Sequence, residues 1–90
     1  MTVVWKYVLS LAVEQHVQMP RDAEILSVQL QHGRITMWVR CLPDEKDTVF
    51  RQILMSGTGQ LDAPDFDYEH IGTVQTPDGY VWHLFAGRED

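Results

Sequence analysis

Apolar and polar residues alternate at period two along two neighbouring stretches in the middle of the chain, residues 24–31 and 34–42. Successive side chains of a strand point to opposite faces, so this pattern predicts two strands that share one buried face. The two-residue connection His32-Gly33 fits a hairpin turn, because Gly33 adopts positive φ freely and His32 tolerates it better than most residues. The positions predicted to be buried are Leu26, Val28, Leu30, Ile35, Met37, Val39 and Cys41.

Most of the remaining chain also has the pattern of strands, with no long 3.6-residue period. Six or seven short antiparallel strands need a second layer to bury their apolar faces. The sequence therefore predicts an all-β fold, either a compact antiparallel sandwich or a partly open barrel, with residues 1–90 as a single domain. The other predicted strands are residues 3–13, residues 15–19 up to Pro20, and residues 48–56, 70–76 and 80–86.

Length and composition favour a non-enzymatic binding protein. Apolar residues at 44% and charged residues at 22% are ordinary for a globular protein. A chain of 90 residues can bury a core but has little room for a deep catalytic cleft with its supporting layers. A small-molecule-binding β domain or a small enzyme would need a pocket that a core of this size can barely provide.

The net charge of −6 lies entirely in the C-terminal part of the chain. Residues 1–51 contain six basic and six acidic side chains, whereas residues 52–90 contain seven acids and the single base Arg88. Such a surface repels anionic ligands and attracts cationic ones. Direct binding of nucleic acid by the whole surface is therefore disfavoured.

Cysteine usage and the N-terminus point to a reducing compartment. Cys41 is the only cysteine, so no intrachain disulfide can form. It follows the period of the buried face, so we expect a core thiol and not a nucleophile. The N-terminus has no signal-peptide pattern, and no apolar run approaches the roughly 18 to 20 residues that cross a bilayer. A cytoplasmic protein without membrane contact is expected.

The sequence contains no recognisable metal or cofactor motif. The histidines His16, His32, His70 and His83 are scattered without a metal-binding spacing. The alternating acids that begin at Asp65 resemble a calcium loop only superficially, because the glycine and the final glutamate of an EF-hand are missing. We expect neither a metal site nor a cofactor.

An acidic segment, residues 62–69, is the main candidate contact surface. Aromatic anchors ringed by charge are typical of protein–protein hot spots. Alternatively, Phe66 fills the end of the sandwich beneath a loop. If the segment is extended, its alternate acids point the same way about 6.6 Å apart, which is twice the strand rise. The candidate contact residues are Asp62, Asp65, Phe66, Asp67, Tyr68 and Glu69.

A second candidate surface is the polar face of the strand that follows the hairpin turn. Arginine planes beside an aromatic ring can stack a nucleobase. The same composition also occurs where a strand face is balanced by acids or packed beneath another strand. The residues of this alternative face are Arg34, Thr36, Trp38 and Arg40.

Several strand and turn motifs are spread over most of the chain. The motifs are Trp5-Lys6-Tyr7, Met19-Pro20, Ala23-Glu24-Ile25-Leu26-Ser27-Val28-Gln29, Gln31-His32-Gly33 leading to Trp38, Gly57-Thr58-Gly59, Ile71-Gly72-Thr73-Val74-Gln75 and Val81-Trp82-His83-Leu84-Phe85. They resemble a family of short proteins of tailed phages and prophages that has no assigned function. The resemblance spans nearly the whole chain except the acidic segment. It implies a phage origin and a shared fold, and it brings no catalytic residues.

Together these features predict a phage-encoded accessory protein that acts in the host cell cytoplasm. The expected partner is a host protein complex with a basic groove, such as a nucleic-acid-handling defence complex blocked in the anti-CRISPR or anti-restriction manner. Opposite charge would speed association. The protein is expected to be a monomer or a small homo-oligomer. The alternative is a phage structural or assembly protein that oligomerises through strand edges.

Overall fold

The chain folds into seven strands that form two antiparallel sheets, as seen in a computed structural model that describes residues 1–89. The prediction of an all-β fold is confirmed; of the two predicted architectures the chain adopts the sandwich, and the sheets do not close into a barrel. The described residues include no helix, and hence none long and apolar enough to cross a membrane. The strands are β1 (Val3–Val8), β2 (Glu14–Pro20), β3 (Glu24–Gln31), β4 (Arg34–Cys41), β5 (Thr48–Gly57), β6 (Glu69–Gln75) and β7 (Val81–Glu89).

The core lies between a three-stranded sheet of order β1-β4-β3 and a four-stranded sheet of order β2-β5-β7-β6. Each sheet contributes alternate residues to it, as expected where one face of a sheet is covered and the other faces solvent. The largest fully buried apolar side chains are Met37 and Val39 from the first sheet and Met19, Ile53 and Leu84 from the second.

The predicted hairpin is present between β3 and β4. Its turn residues His32 and Gly33 have φ values of 52° and 76°, the left-handed conformation that a two-residue turn of this kind requires. The β4 residues Ile35, Met37 and Val39 are all buried, as the period-two pattern predicted.

The prediction that Leu26 is buried is wrong. Its side chain is 46% exposed, because a β-bulge between Ile25 and Ser27 adds a residue to β3. Ile25 pairs with Val39 and takes the place in the core alignment that the alternation had given to Leu26. Beyond the bulge the predicted phase returns, with Val28 buried and Leu30 half-buried.

The first strand ends at Val8, five residues earlier than the pattern predicted. The backbone of residues 9–13 leaves the first sheet and joins the second. Leu9 N still donates to Ile35 O of β4 (2.9 Å), whereas Val13 O accepts from Met55 N of β5 (2.9 Å). A strand cannot pair along its length with both sheets, so the change of sheet interrupts it and leaves Leu11 exposed.

The connection from β5 to β6 crosses β7. Both strands pair antiparallel with β7, so they run parallel to each other and the chain must return along the sheet between them. Residues 58–68, here called the crossing loop, make this return. The loop contacts His83, which lies on the opposite face of β7 from the buried Leu84. The crossing loop therefore covers the outer face of the four-stranded sheet.

Candidate functional site

The crossing loop carries most of the predicted contact residues, and hydrogen bonds fix its beginning. Thr58 Oγ1 lies 2.7 Å from His83 Nε2, and His83 Nδ1 lies 3.0 Å from Thr73 Oγ1 on β6. Gln60 N donates to Gly57 O at 3.1 Å and closes a turn directly after β5. These hydrogen bonds fix the start of the loop to β5 and to β7.

Asp62 has a structural contact in addition to its charge. Its Oδ1 accepts a hydrogen bond from Ser56 Oγ at 2.6 Å, and Ser56 is buried. A buried hydroxyl needs a partner, because leaving it without one costs free energy. Asp62 therefore holds the loop to β5, a role that the sequence analysis did not assign to it.

The end of the crossing loop is fixed by Tyr68, which is half-buried. Its hydroxyl donates to Gln52 Oε1 of β5 at 2.8 Å, and its backbone N–H donates to Asp65 O at 3.1 Å. The second bond closes a turn over residues 65–68. The segment is therefore not extended, and the condition under which its alternate acids would form one row is not met. Glu69 lies outside the loop, as the first residue of β6.

Two apolar side chains project from the middle of this anchored loop. Phe66 and Leu61 are both fully exposed. The alternative in which Phe66 fills the end of the sandwich is therefore wrong. Leu61 was missed by the sequence analysis, and the available signal was its position beside Asp62 in a stretch without strand periodicity.

The carboxylates of this region have no cationic partner. Within residues 1–89, none of Asp62, Asp65, Asp67 and Glu69 forms an ion pair. Arg88 shares a small depression with Asp67 but does not form a salt bridge with it. The exposed apolar side chains are thus surrounded by uncompensated negative charge.

The alternative face does not present its residues as one basic stripe. Arg40 forms an ion pair with Glu24 of the neighbouring strand. Thr36 is 1% exposed, and its hydroxyl donates to the Arg34 carbonyl oxygen at 3.1 Å. Trp38 is half-buried opposite Lys6. In the described part of the chain, the exposed Arg34 side chain forms no ion pair.

A cleft of about 670 Å³ opens at one end of the sandwich, a volume larger than the sequence analysis expected. Its walls come from residues 9–13, from the start of β4 and from the turn between β6 and β7. Most of the lining is apolar, and the charged residues in it are Arg34 and Asp78. The cleft is separate from the crossing loop.

No feature of the described chain suggests nucleophilic or metal chemistry. Cys41 is buried, and burial raises the pKa of its thiol above the usual range, which disfavours the reactive thiolate. Residues 1–89 contain no group of three or more histidine, cysteine or carboxylate side chains arranged to hold a metal ion. His70 and His83 both contact Thr73, where they support the sheet surface beneath the crossing loop.

The chain belongs to a family of unknown function. A model of the family described as a domain of unknown function, DUF7352, matches residues 1–90. No curated protein and no solved structure matches the chain. The resemblance to an uncharacterised family is thus confirmed, whereas the phage origin that it implied stays a prediction.

Proposed function

We propose that this protein binds a partner protein through the crossing loop and has no enzymatic activity of its own. The observation that carries the proposal is the position of Phe66. It is fully exposed between Asp65 and Asp67, in a loop whose two ends are fixed to the sheet. An exposed aromatic on a preorganised loop loses little conformational entropy on binding.

Charge defines the partner class. The unpaired carboxylates around Phe66 favour a cationic surface, and opposite charge accelerates association. The partner would therefore have a basic groove with an apolar hollow that accepts Phe66 and Leu61. Proteins that handle nucleic acid have such grooves, because they must neutralise phosphates.

The finer form of the proposal is a phage-encoded inhibitor of a host defence complex, of the anti-CRISPR or anti-restriction kind. The protein would act in the host cytoplasm as a monomer or small homo-oligomer, without a cofactor and without contacting nucleic acid directly. Support for this form comes from the sequence resemblance and from the acidic surface. A ring or filament in a mass measurement would instead favour the structural or assembly role.

The experiment compares variants of the tagged protein in a pull-down from a lysate of a phage-host bacterium, followed by binding kinetics with the retained partner. The first variant neutralises the contact acids as Asp65→Asn, Asp67→Asn and Glu69→Gln. Its matched control neutralises three acids of the β4–β5 loop as Asp44→Asn, Glu45→Gln and Asp47→Asn. The control removes the same charge from a different place on the molecule.

We expect the contact variant to associate more slowly than the wild type and the control. All three should be equally folded, because exposed like charges stabilise little and the Asp47–Arg21 ion pair lost in the control is also exposed. The wild-type complex should weaken as salt approaches physiological strength, where the Debye length is about 8 Å. Phe66→Ala should mainly speed dissociation of the complex. If Phe66 is a hot spot, the substitution should weaken the binding free energy by roughly 2 to 4 kcal/mol. A salt-insensitive complex unaffected by these changes would contradict the proposal and redirect attention to the Arg34–Arg40 face.

A further inference from the structure

The cleft at the end of the sandwich, here called the end cleft, has the properties of a small-molecule site. Its volume of about 670 Å³ falls within the range of roughly 300 to 1,000 Å³ that ligand pockets span. Its innermost lining is formed by the buried residues Leu9, Ile35 and Met55. The crossing loop contributes no residue to it, so this inference does not depend on the proposed function.

Hydrogen bonds shape the wall of the end cleft without any ligand. Gln15 clamps the backbone of Ser10, since its Oε1 accepts from Ser10 N at 3.0 Å and its Nε2 donates to Ser10 O at 2.9 Å. Val13 O accepts from Met55 N at 2.9 Å. Both ends of the wall are therefore fixed, and a ligand would not have to order it.

The wall exposes apolar side chains to water. Leu11 is 76% exposed and Val13 is 61% exposed, and Trp82 lines the same cavity from β7. Apolar surface in a concave site gains free energy when an apolar group displaces the water from it. The body of a suitable ligand is therefore apolar, either an alkyl chain or a ring system.

The two charged side chains of the end cleft, Asp78 and Arg34, differ in whether they already form hydrogen bonds. The Asp78 carboxylate accepts from the Thr76 hydroxyl and from Tyr80 N, so it is held within its own turn. The Arg34 guanidinium makes no hydrogen bond or ion pair with any residue from 1 to 89. An arginine with unused donors recognises carboxylate and similar anionic groups.

We propose that the end cleft binds a small amphipathic anion. The apolar body of the ligand lies against Leu11, Val13 and Trp82, and its anionic head group contacts Arg34. The part of the lining that the structure describes includes no histidine, cysteine, serine or lysine, and its one carboxylate is already engaged. The site therefore binds its ligand without converting it.

The test uses decanoate and decanol, which share an alkyl chain and differ in the charge of the head group. Each is titrated into the full chain by calorimetry, and the site is located from backbone amide shifts in NMR spectra. The variants are Arg34→Gln, which removes the proposed anion contact, and Leu11→Ser, which removes an exposed part of the wall. Arg21→Gln is the matched control, because it removes one positive charge from an exposed position outside the cleft.

We expect decanoate to bind with one-to-one stoichiometry and to shift the backbone amides of residues 9–13, Thr76 and Asp78. Arg34→Gln should weaken decanoate roughly tenfold, as loss of a charge-assisted contact does, and leave decanol within about twofold of the wild type. Leu11→Ser should weaken both ligands, and Arg21→Gln neither. Because Leu11 and Arg34 are exposed, the fold should survive these changes.

Three results would overturn the inference. The first is the absence of saturable decanoate binding by the folded protein. The second is an equal effect of Arg34→Gln on decanoate and decanol, since the head group would then not contact Arg34. The third is a dimer in sedimentation together with protection of the backbone amides of residues 9–13 from hydrogen exchange. The end cleft would then be a contact between copies of the chain.

Discussion

Tyr68 packs directly against Gly87, where a Cβ would fit only if the Tyr68 and Gln52 side chains shifted. A Cβ at position 87 would lie 2.8 Å from Tyr68 Cε2 and 2.9 Å from Gln52 Oε1. The same Gln52 oxygen accepts the Tyr68 hydroxyl, so one glycine accommodates both partners of the bond that ends the crossing loop. A backbone position on β7 thereby determines how the candidate binding loop sits on the sheet.

The first prediction concerns this contact. Gly87→Ala should displace Tyr68 and destabilise the protein by roughly 1 to 3 kcal/mol, the usual cost of overpacking. It should also speed chymotrypsin cleavage after Phe66, because the end of the loop would open more often. Urea unfolding and the cleavage rate are the measurements. Tyr68→Phe is the control, since it removes the hydroxyl and keeps the ring. Equal cleavage rates in wild type and Gly87→Ala would contradict the packing argument.

The second prediction separates the two kinds of acid in the crossing loop. Asp62→Ala should cost about 1 to 2 kcal/mol, because the buried Ser56 hydroxyl loses its short hydrogen bond. Asp65→Ala should change stability by no more than about 0.5 kcal/mol, since Asp65 accepts with its backbone oxygen, which the substitution retains. Chemical denaturation of both variants gives the comparison. Equal stability of the two would show that the Ser56 contact contributes nothing.

The third prediction concerns the line where β3 and β6 meet. A Cβ at Gly72 would lie 2.8 Å from Val28 Cβ and 3.0 Å from Val28 O. Backbone atoms cannot move aside easily, so Gly72→Ala should destabilise the sandwich by roughly 1 to 3 kcal/mol. Gln75→Ala, at an exposed position of the same strand, is the control. A Gly72→Ala protein as stable as its control would mean that the sheets can separate at this edge without cost.

Local patterns account for what the sequence predicted correctly. The hairpin of β3 and β4 follows from its alternation and from the conformational freedom of Gly33, and both signals lie within a few residues. The prediction that Leu26 is buried failed because the bulge arises from pairing with β4. The sequence of β3 does not encode that pairing by itself. Likewise, Leu11 continues the period of β1, but the chain has to change sheets before reaching it.

The candidate site also combines features that local sequence predicts with features that it does not predict. Its composition was visible, because acids and aromatics alternate from Asp65 onward. The anchors of the loop were not, since Tyr68 bonds Gln52 from a neighbouring strand and Thr58 bonds His83 across the crossover. Contacts between residues far apart in sequence depend on strand order. That order is a property of the whole fold and not of any segment.

The fourth prediction concerns the reactivity of Cys41. Its side chain is buried in the core, and burial raises the pKa of the thiol. Both effects slow attack by thiol reagents, because the thiolate is the reacting species and the reagent must reach it. We expect very slow labelling of the native protein at pH 7 and fast labelling in denaturing urea. Rapid labelling without denaturant would contradict the position of Cys41 in the core.

The fifth prediction follows from the sign of that pKa shift. Burial raises the pKa of Tyr7, and the electrostatic effect of Cys41 raises it further, while burial alone raises the pKa of Cys41. In both cases the fold favours the protonated form. Their contribution to stability is therefore complete below the unfolded pKa values, about 8.5 for cysteine and about 10 for tyrosine, and is lost as the pH rises through the folded values. Urea unfolding between pH 7 and pH 10 should show wild type losing stability more steeply than Cys41→Ala. Parallel curves for the two proteins would mean that ionisation of the thiol is not coupled to folding.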